Sequence, residues 1–270
     1  MIGSESGTRG ASTIATVVAR VRRLLPLPGG SGNPSRLARL AAKGWQERFA
    51  LRRATIARAY IHGSGIEIGA LNKPLRVPRG TRVTYVDRLP VAQLQQHYPD
   101  IPPGSFVPVD IVDDGERLPT IPSSSQDFVI ANHFLEHCQD PIGTLGHLLR
   151  VVRPGGVLYV AVPDKRLTFD RDRPMTPLSH LISNHEQEPE RSLRDHLEEW
   201  ARLVDRVPTE RVAAWADELH RTGYSIHYHV WSPPELLELV IWSGRDGALP
   251  FTPELFLQRK EEMILILRKT

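Results

Sequence analysis

The amino-acid sequence predicts an α/β fold in which seven strands form a doubly wound, mostly parallel sheet. First, from residue 64 onward, short apolar runs alternate with segments of helical character, as βα units require. Second, the last two apolar runs, 254–260 and 261–269, leave room for only a short turn between them, which indicates an antiparallel pair and a reversed last strand. Third, each run ends near a polar residue or a glycine, as expected where strands reach a ligand-binding edge.

Five strands are expected before the closing pair. They are GIEIG (65–69), RVTYVD (82–87), FVPVDIV (106–112), DFVIANH (127–133) and VLYVAVPD (157–164). In a parallel sheet the carboxyl ends of the strands meet at one edge, so a site is expected among the residues at these tips. Two helix starts are also visible, because Asp140 precedes Pro141 and Ser232 precedes Pro233.

The charge of the chain divides it into two parts. Residues 1–60 hold 11 Lys/Arg and 2 Asp/Glu, whereas residues 61–270 hold 23 and 29, so that the net charge of +3 hides a basic start and a mildly acidic remainder. Residues 12–25 and about 35–60 have helical periodicity. We therefore predict a basic helical extension over 1–60 and a main domain over 61–270.

The extension has three interpretations. Its helices are expected to pack on the main domain or on a second subunit, while contact with a membrane surface or with nucleic acid is the alternative. The acidic main domain argues against an extended nucleic-acid footprint. Cys138 is the only cysteine, which excludes an intrachain disulfide and fits a reducing cytoplasm. No apolar run is long enough for a membrane span or a signal peptide.

The segment GIEIGALNKP (65–74) looks like a nucleotide-binding turn with too few glycines for a pyrophosphate. A nucleoside without phosphate needs less: one glycine for close approach, Gly69, and an acid that faces a cationic group, Glu67. Asp87 ends the next strand 18 residues after Gly69, close to the separation at which a carboxylate accepts hydrogen bonds from ribose hydroxyls. The combination favours S-adenosylmethionine, which has an amino-acid end, a ribose and an adenine but no phosphate.

These motifs resemble those of the class I S-adenosylmethionine-dependent methyltransferases. GIEIGA is similar to their first motif, VTYVD to the acidic second motif, and residues 123–164 to the fourth strand, its helix, the Pro-Gly-Gly turn and the fifth strand. The resemblance covers residues 60–164 and, more loosely, the C-terminal strands, and it implies a Rossmann-like fold. The usual Gly-x-Gly is reduced here to Gly69-Ala70. Within the superfamily the chain resembles a bacterial branch associated with saccharide biosynthesis.

The resemblance implies a cofactor site at the strand tips. Its predicted members are Glu67, Gly69 and Ala70 for the methionine part, Asp87 for the ribose, Asp113 for the adenine amino group, and Asn132 and His133 beneath the sulfonium. Asp114 is the alternative to Asp113, because DIVDDGE offers neighbouring carboxylates. For each acid, a purely structural or surface role is the competing interpretation.

The segment ANHFLEHCQDP contains the candidate catalytic bases. A hydroxyl acceptor must lose its proton, and a positioned base contributes about 10²–10⁴-fold to the rate. His133 lies nearest the strand tip, and His137 shares a face with it if the segment is helical. A structural role is the alternative for His137, and a base elsewhere, including the cap, is the alternative for both.

Residues 165–230 follow the fifth strand and are predicted to form a cap that binds the acceptor. The predicted substrate-binding residues are Arg166, Asp170, Arg171, His185 and Tyr228. Such side chains suit a polyhydroxyl or anionic acceptor, whereas an ordinary solvated helical insert is the alternative.

Histidines in the cap could also bind a metal. His227 and His229 share a face if the chain is extended there, and His180 and His185 precede them. No close ligand pattern is visible in the sequence, however, and Mg²⁺ prefers oxygen ligands. We therefore predict no metal site, with Mg²⁺ compatible but unsupported by a motif.

The sequence thus predicts an S-adenosylmethionine-dependent O-methyltransferase that acts on a hydroxyl of a sugar or oligosaccharide precursor. One alternative is O- or N-methylation of another small molecule. Another is a non-catalytic cofactor-binding scaffold, and RNA methylation is the weakest option because the main domain is acidic. A homo-oligomer is compatible with these interpretations.

Overall fold

The computed structural model describes residues 52–187 and 190–270. The predicted helix over 12–25 and most of the one over 35–60 lie outside these residues. Within the described ranges, no helix is both long and apolar enough to cross a membrane.

Seven strands form a single sheet. They are β1 (Ser64–Ile68), β2 (Arg82–Asp87), β3 (Ile111–Val112), β4 (Gln126–Asn132), β5 (Val152–Pro163), β6 (Phe251–Arg259) and β7 (Glu262–Lys269). Their order is β3-β2-β1-β4-β5-β7-β6. Strands β1 to β5 are parallel to one another, while β7 runs antiparallel to both β5 and β6. The predicted fold class, including the reversed last strand, is confirmed.

The described residues also form seven α-helices. They are α1 (Arg53–Tyr60), α2 (Val91–His97), α3 (Pro141–Val151), α4 (Leu178–Gln187), α5 (Glu190–Leu203), α6 (Val212–Thr222) and α7 (Pro233–Arg245). Asp140 caps α3 as predicted, since its carboxylate accepts the N–H of Gly143 at 2.9 Å. Ser232 and Glu235 form a capping box at the start of α7.

Helices cover both faces of the sheet. Val129 and Ala131 of β4 belong to an apolar cluster shared with α3, α4 and α7. Phe128 and Ile130 of the same strand belong to a second cluster, shared with α1. All four side chains are fully buried, because successive residues of a strand face opposite sides and both sides are covered.

The third strand is much shorter than predicted. The run FVPVDIV suggested a strand over 106–112, but only Ile111–Val112 pairs with β2. Pro108 has no N–H to donate to a ladder. In addition, the Tyr85 N–H is bonded at 2.8 Å to the side chain of Asp110, which takes the place of a backbone carbonyl. The fifth strand, conversely, begins at Val152, and a register shift near β4 accommodates its extra residues.

The segment between β5 and α7 lies at the carboxyl end of the sheet. Helices α5 and α6 have a small core of their own, made of Leu197, Trp200, Ala216, Leu219 and Ile226. The Tyr228 N–H donates to the Glu136 carbonyl at 2.7 Å, and Asp164 forms a parallel bridge with Trp231. These bonds fasten residues 226–231 to the end of β5 and to the turn after β4. The boundaries of the extension and of the cap stay predictions.

Candidate active site

A cavity of about 410 Å³ opens at the carboxyl ends of β1, β2 and β4. This is the edge at which parallel α/β sheets bind ligands, and the volume is typical of a small-molecule site. Strand tips and the loops after them contribute one wall, including Gly69, Asp87 and Phe134. Helices α5 and α6 and the segment that follows them contribute the opposite wall, including Leu197 and Tyr228.

Two glycines of the strand-tip wall have different roles. Gly69 has a φ of +63°, and a Cβ built there meets nothing within 4 Å, so the turn is both left-handed and open. A Cβ at Gly115 would meet Phe134 and Ile68 at 2.8–2.9 Å. Gly115 is thus required for close packing, whereas Gly69 provides an open turn for a ligand.

Glu67 lies beneath this turn and is not among the described residues that line the cavity. Its two carboxylate oxygens accept the N–H of Leu75 at 2.9 and 3.1 Å, and Asn132 Nδ2 lies 3.5 Å away. Burial raises the pKa of Glu67 to about 7. Because side chains alternate along a strand, Glu67 and its neighbour Ile68 face opposite sides. The visible role of Glu67 is to close the loop between Gly69 and Leu75.

The three predicted acids after β2 and β3 differ in availability. Asp87 lines the cavity, and burial raises the pKa of its carboxyl although backbone N–H groups of the following loop oppose the shift. Asp113 is occupied by its own loop, since it accepts Thr120 Oγ1 at 2.6 Å, Thr120 N at 3.1 Å and Asp114 N at 2.8 Å. Asp114 itself lines the cavity. The geometry therefore favours Asp114 over Asp113 as the residue that meets a ligand.

His133 and His137 do not share a helical face. His133 has a φ of +50°, and only Leu135–His137 forms a 3₁₀ turn. Both imidazoles nevertheless line the cavity, because the turn folds back at the tip of β4. Ala70 and Asn132 are not among the described lining residues of this cavity.

His133 is held among charged groups. Its Nδ1 lies 3.4 Å from a Glu136 oxygen and its Nε2 lies 3.6 Å from a Glu262 oxygen. Burial disfavours the charged ring, but hydrogen bonds to these carboxylates outweigh burial and raise the pKa of His133 to about 9. The Arg53 Nη2 atom, 2.8 Å from Nε2, favours the neutral ring because guanidinium can only donate. The two carboxylates prevail, so His133 is cationic at neutral pH.

His137 has the opposite character. Its Nδ1 lies 2.8 Å from the Ile226 carbonyl and 3.0 Å from Ser225 Oγ. A carbonyl can only accept, so Nδ1 carries the proton and Nε2 keeps a lone pair. Burial lowers the pKa of His137 to about 4, although the Glu136 charge opposes the shift. His137 is therefore unprotonated at neutral pH and able to accept a proton.

Of the five predicted substrate-binding residues, only Tyr228 is among the described residues that line the cavity. Asp170 is fully buried elsewhere, where its carboxylate bonds Arg173 at 3.0 Å and His227 Nδ1 at 2.7 Å. Both oxygens of Asp170 are thus used by the protein itself. A direct contact between Asp170 and a substrate in this cavity does not agree with the structure.

The other three predicted substrate residues are likewise not among the described residues that line the cavity. Arg166 forms two hydrogen bonds with Asp164, at 2.9 and 2.6 Å. His185 Nδ1 lies 2.9 Å from Asp140, and Arg171 is exposed. Polar composition indicated a binding surface, but it could not distinguish ligand contacts from internal ion pairs.

Sequence reasoning missed Glu116. This carboxyl lines the cavity and accepts the Gln139 N–H at 3.2 Å. Burial, assisted by the charge of Asp114, raises the pKa of Glu116 to about 7. The only sequence signal was its place within DIVDDGE, among three other acids. Ser225 was likewise not predicted, because its position depends on how the segment after α6 folds.

Two groups of described side chains could hold a metal ion. The first is Glu136, His137 and His227, and the second is His180, His196 and His229; within each, the ligand atoms lie within 4.8 Å of one another. The prediction that no metal site exists rested on sequence proximity. Each group instead includes residues from distant parts of the chain, since His227 joins the neighbours Glu136 and His137, and His229 joins His180 and His196.

The fold and the cavity define an α/β enzyme that binds a nucleoside at the strand tips. The chain belongs to the methyltransferase domain family, whose model matches residues 37–239. It is therefore an S-adenosylmethionine-dependent methyltransferase, and the class I resemblance is confirmed at this level.

Individual relatives are more distant. A trans-aconitate 2-methyltransferase of Enterobacter sp. (strain 638) is 25% identical over 197 residues, 68% of this chain and 68% of that protein. A probable S-adenosylmethionine-dependent methyltransferase of Mycolicibacterium smegmatis is 35% identical over 95 residues, 34% of this chain and 33% of that protein. Among solved structures, the 1,6-didemethyltoxoflavin-N1-methyltransferase of Burkholderia thailandensis, with S-adenosylhomocysteine bound, is 16% identical with a TM-score of 0.41, covering 99% of this chain and 93% of that one.

The residues at the strand tips fit this cofactor. The open left-handed turn at Gly69 leaves space for a ligand next to the backbone. Asp87 and Asp114 present carboxylates to the cavity, which suit hydroxyl and amino groups and a positively charged sulfonium. A phosphate would be disfavoured by the same carboxylates.

Proposed function

We propose that this methyltransferase transfers the methyl group to a hydroxyl of a neutral saccharide or oligosaccharide precursor. The observation that supports the proposal is the wall of the cavity opposite the strand tips. There, the aromatic residues Tyr224 and Tyr228 and the polar residue Ser225 line the cavity, while Gln139 and Glu116 line it from the loops after the strands. Aromatic faces combined with a few placed polar groups suit a ligand that has both ring surfaces and hydroxyls.

The charge of the cavity supports a neutral acceptor. Asp87, Asp114 and Glu116 line it, and Arg88 is the one guanidinium among the described lining residues. Arg88 is already engaged, since its Nη2 lies 2.8 Å from His97 Nε2 and donates to the Gly223 carbonyl at 3.2 Å. The cationic ring of His133 also lines the cavity, but it already faces the carboxylates of Glu136 and Glu262. A polycarboxylate such as the substrate named for the Enterobacter relative would therefore be disfavoured.

The roles of the cofactor residues follow from their places. The turn at Gly69 would receive the methionine part, Asp87 the ribose hydroxyls and Asp114 the adenine amino group. When bound, the cofactor supplies a methyl group activated by its sulfonium. The main task of the protein is then to align the acceptor hydroxyl, and to remove its proton.

We assign the proton acceptor to His137. Its Nδ1 proton is held by the Ile226 carbonyl, which leaves Nε2 free to take a proton from the acceptor hydroxyl. The buried carboxylate of Glu136, one oxygen of which lies 3.4 Å from His133 Nδ1, would also stabilise the imidazolium that results. His133, already cationic at neutral pH, is suited to orient groups rather than to accept a proton.

The acceptor class can be tested by incubating the protein with isotopically labelled S-adenosylmethionine and two sets of acceptors. One set contains neutral mono- and oligosaccharides, and the other contains small carboxylic acids, trans-aconitate included. Mass spectrometry should find the label on a saccharide oxygen. Label found only on carboxylates, amines or flat aromatic compounds would exclude the saccharide proposal and leave the methyltransferase assignment intact.

Variants separate acceptor from cofactor binding. Tyr228→Ala should lower kcat/KM for the saccharide by about tenfold or more, at about 1.4 kcal/mol per decade, because the wall loses an aromatic face. Its affinity for S-adenosylhomocysteine, measured by calorimetry, should be unchanged. Asp87→Ala should instead weaken S-adenosylhomocysteine binding by roughly 2–4 kcal/mol, since two hydrogen bonds to a charged group are lost. Equal effects of both variants on both ligands would contradict this division.

Three finer expectations stay predictions. They are the saccharide-biosynthesis branch, a cytoplasmic location, and contact of the basic extension with a membrane surface or a second subunit. A non-catalytic scaffold is the alternative that the labelling experiment also addresses, because it predicts cofactor binding without turnover.

A further inference from the structure

Three histidines from three separate segments of the predicted cap converge at one point. His180 belongs to α4, His196 to α5 and His229 to the segment 226–231. Their ring centroids are 5.1, 5.6 and 5.0 Å apart. One ring nitrogen of each lies within 4.8 Å of those of the other two.

Two of the ring nitrogens are spaced as ligands of one ion. The Nε2 atoms of His180 and His196 are 3.2 Å apart. Zn²⁺–N bonds of about 2.0–2.1 Å in tetrahedral geometry separate two nitrogens by about 3.3 Å. The spacing of these two nitrogens is therefore that of two ligands of one zinc ion.

His229 presents an unused lone pair. Its Nε2 lies 3.2 Å from the Gln139 carbonyl, so Nε2 carries the proton and Nδ1 does not. His229 is fully buried, and Nδ1 has no hydrogen-bond partner. Metal-bound histidines are commonly arranged in this way, with one nitrogen donating to a carbonyl while the other binds the metal. An orphaned buried acceptor is otherwise uncommon.

The charges around the cluster are compatible with a cation. Burial lowers the pKa of His229 well below its usual range and the pKa of His196 to about 4, so both rings are neutral at neutral pH, as ligands must be. Arg173 is the nearby opposing charge, but it is paired with Asp170 at 3.0 Å and with Glu199 at 2.8 Å.

We propose that His180, His196 and His229 bind a structural zinc ion that cross-links the cap. Three imidazoles favour zinc or another late divalent transition metal over Mg²⁺ and Ca²⁺, which prefer oxygen. The ion would join α4, α5 and the segment that carries Tyr228, and so would fix one wall of the cavity. The fourth position belongs to water, and the amide of Asn184, whose Nδ2 lies 3.3 Å from His180 Nε2, would turn aside when the ion binds.

Zinc titration of the full chain tests the proposal. The protein is stripped with EDTA and titrated with ZnCl₂ in a calorimeter, and the same is done with His180→Gln and His196→Gln. Both positions are only partly buried, so these variants are expected to fold, which circular dichroism checks. His62→Gln, an exposed histidine outside the cluster, is the matched control.

The wild type and the control should bind one zinc per chain, and Zn²⁺ should raise their melting temperature. Each cluster variant should lose at least about a hundredfold in affinity, beyond the 10–100-fold typical of outer-shell changes. Co²⁺ in place of zinc should give the intense visible bands of a four-coordinate ion in the wild type and in the control. The cluster variants should not show these bands. These readouts do not depend on methyl transfer, so they stand apart from the test of the proposed function.

Several outcomes would overturn the proposal. The first is that the wild type does not bind zinc, and the second is that both cluster variants bind zinc as the wild type does. The third is that zinc binding is lost in Glu136→Gln and kept in His196→Gln. The last result would place the ion in the other histidine group, beside the cavity.

Discussion

His133 and His137 lie four positions apart, yet at neutral pH the imidazole of His133 is positively charged and that of His137 is neutral. His133 faces two carboxylates, which raise its pKa to about 9, whereas burial lowers the pKa of His137 to about 4. Proximity to the strand tip suggested His133 as the base. The surroundings of each ring, which only the folded chain reveals, favour His137.

Substitution of each histidine should separate these roles. His137→Gln keeps a polar side chain of similar reach but cannot accept the proton, so single-turnover methyl transfer should slow by about 10²–10⁴-fold. The affinity for S-adenosylhomocysteine should stay near the wild-type value. His133→Gln should slow the same step less. Near-normal turnover of His137→Gln, or a larger loss in His133→Gln, would remove His137 from the assigned role.

Glu67 should make the protein less stable as the pH rises. Its folded-state pKa is raised from 4.5 to about 7 by burial, so the folded protein holds this proton more tightly than the unfolded chain. The resulting stabilisation, up to about 3 kcal/mol, is fully present below the unfolded pKa and is lost as the pH rises through about 7.

Thermal unfolding at about pH 5 and about pH 8.5 measures this effect. Glu67→Gln mimics the protonated acid and keeps an oxygen for the Leu75 N–H, so its stability should change less between the two conditions. Glu210→Gln, at an exposed position, should behave like the wild type. Parallel pH profiles for all three proteins would show that Glu67 is not protonated in the fold.

Among the elements, helix α3 allows a test of a helix N-cap, Asp140, that was predicted from the sequence. Asp140 accepts the Gly143 N–H and also pairs with His185. Asp140→Ala should cost about 1 kcal/mol of unfolding free energy in urea, the typical value for an N-cap. Asp140→Asn, which keeps the acceptor, should cost much less. His185→Ala should also cost little, because its pair with Asp140 is exposed; a loss equal to that of Asp140→Ala would assign the effect to the ion pair.

The strands and helices also show why some elements could be predicted from the sequence and others could not. Strands β1 and β4 were recognisable because strands buried on both faces are nearly continuous apolar runs with polar tips. The apolar run before Val112 looked equivalent. Its pairing was decided instead by Pro108 and by the Asp110 side chain, which interrupt the ladder. A short 3₁₀ turn after β4 likewise replaced the helix on which the pairing of His133 with His137 depended.

Across the whole molecule, more of the cavity lining could be predicted at the strand tips than in the cap. Gly69, Asp87, His133 and His137 all line the cavity, because each follows directly from where a parallel strand ends. Ser225 reaches the cavity only through the packing of α5 and α6. The histidine cluster joins positions 180, 196 and 229, whose separation in sequence hides any ligand pattern.

The sheet and the cap should also differ in how readily they open. Strands β4 and β5 are buried between two large apolar clusters, while α5 and α6 share a core of five buried residues. Local opening has a lower free energy where fewer apolar side chains are buried. We therefore expect the cap to open more readily than the sheet and to admit the acceptor.

Hydrogen exchange followed by mass spectrometry should detect the difference. Helix α6 should exchange faster than α3, a helix of the same length, 11 residues, that packs into the main cluster. These two helices are compared because they have the same length. One packs into the larger core and the other into the smaller core. S-Adenosylhomocysteine together with the acceptor should slow exchange in α6 and in the segment around Tyr228, since both contact the cavity, and should leave α3 unchanged. Equal protection of α3 and α6 without ligand would mean that the cap and the sheet open as one unit, and the acceptor would then need a route that does not involve opening of the cap.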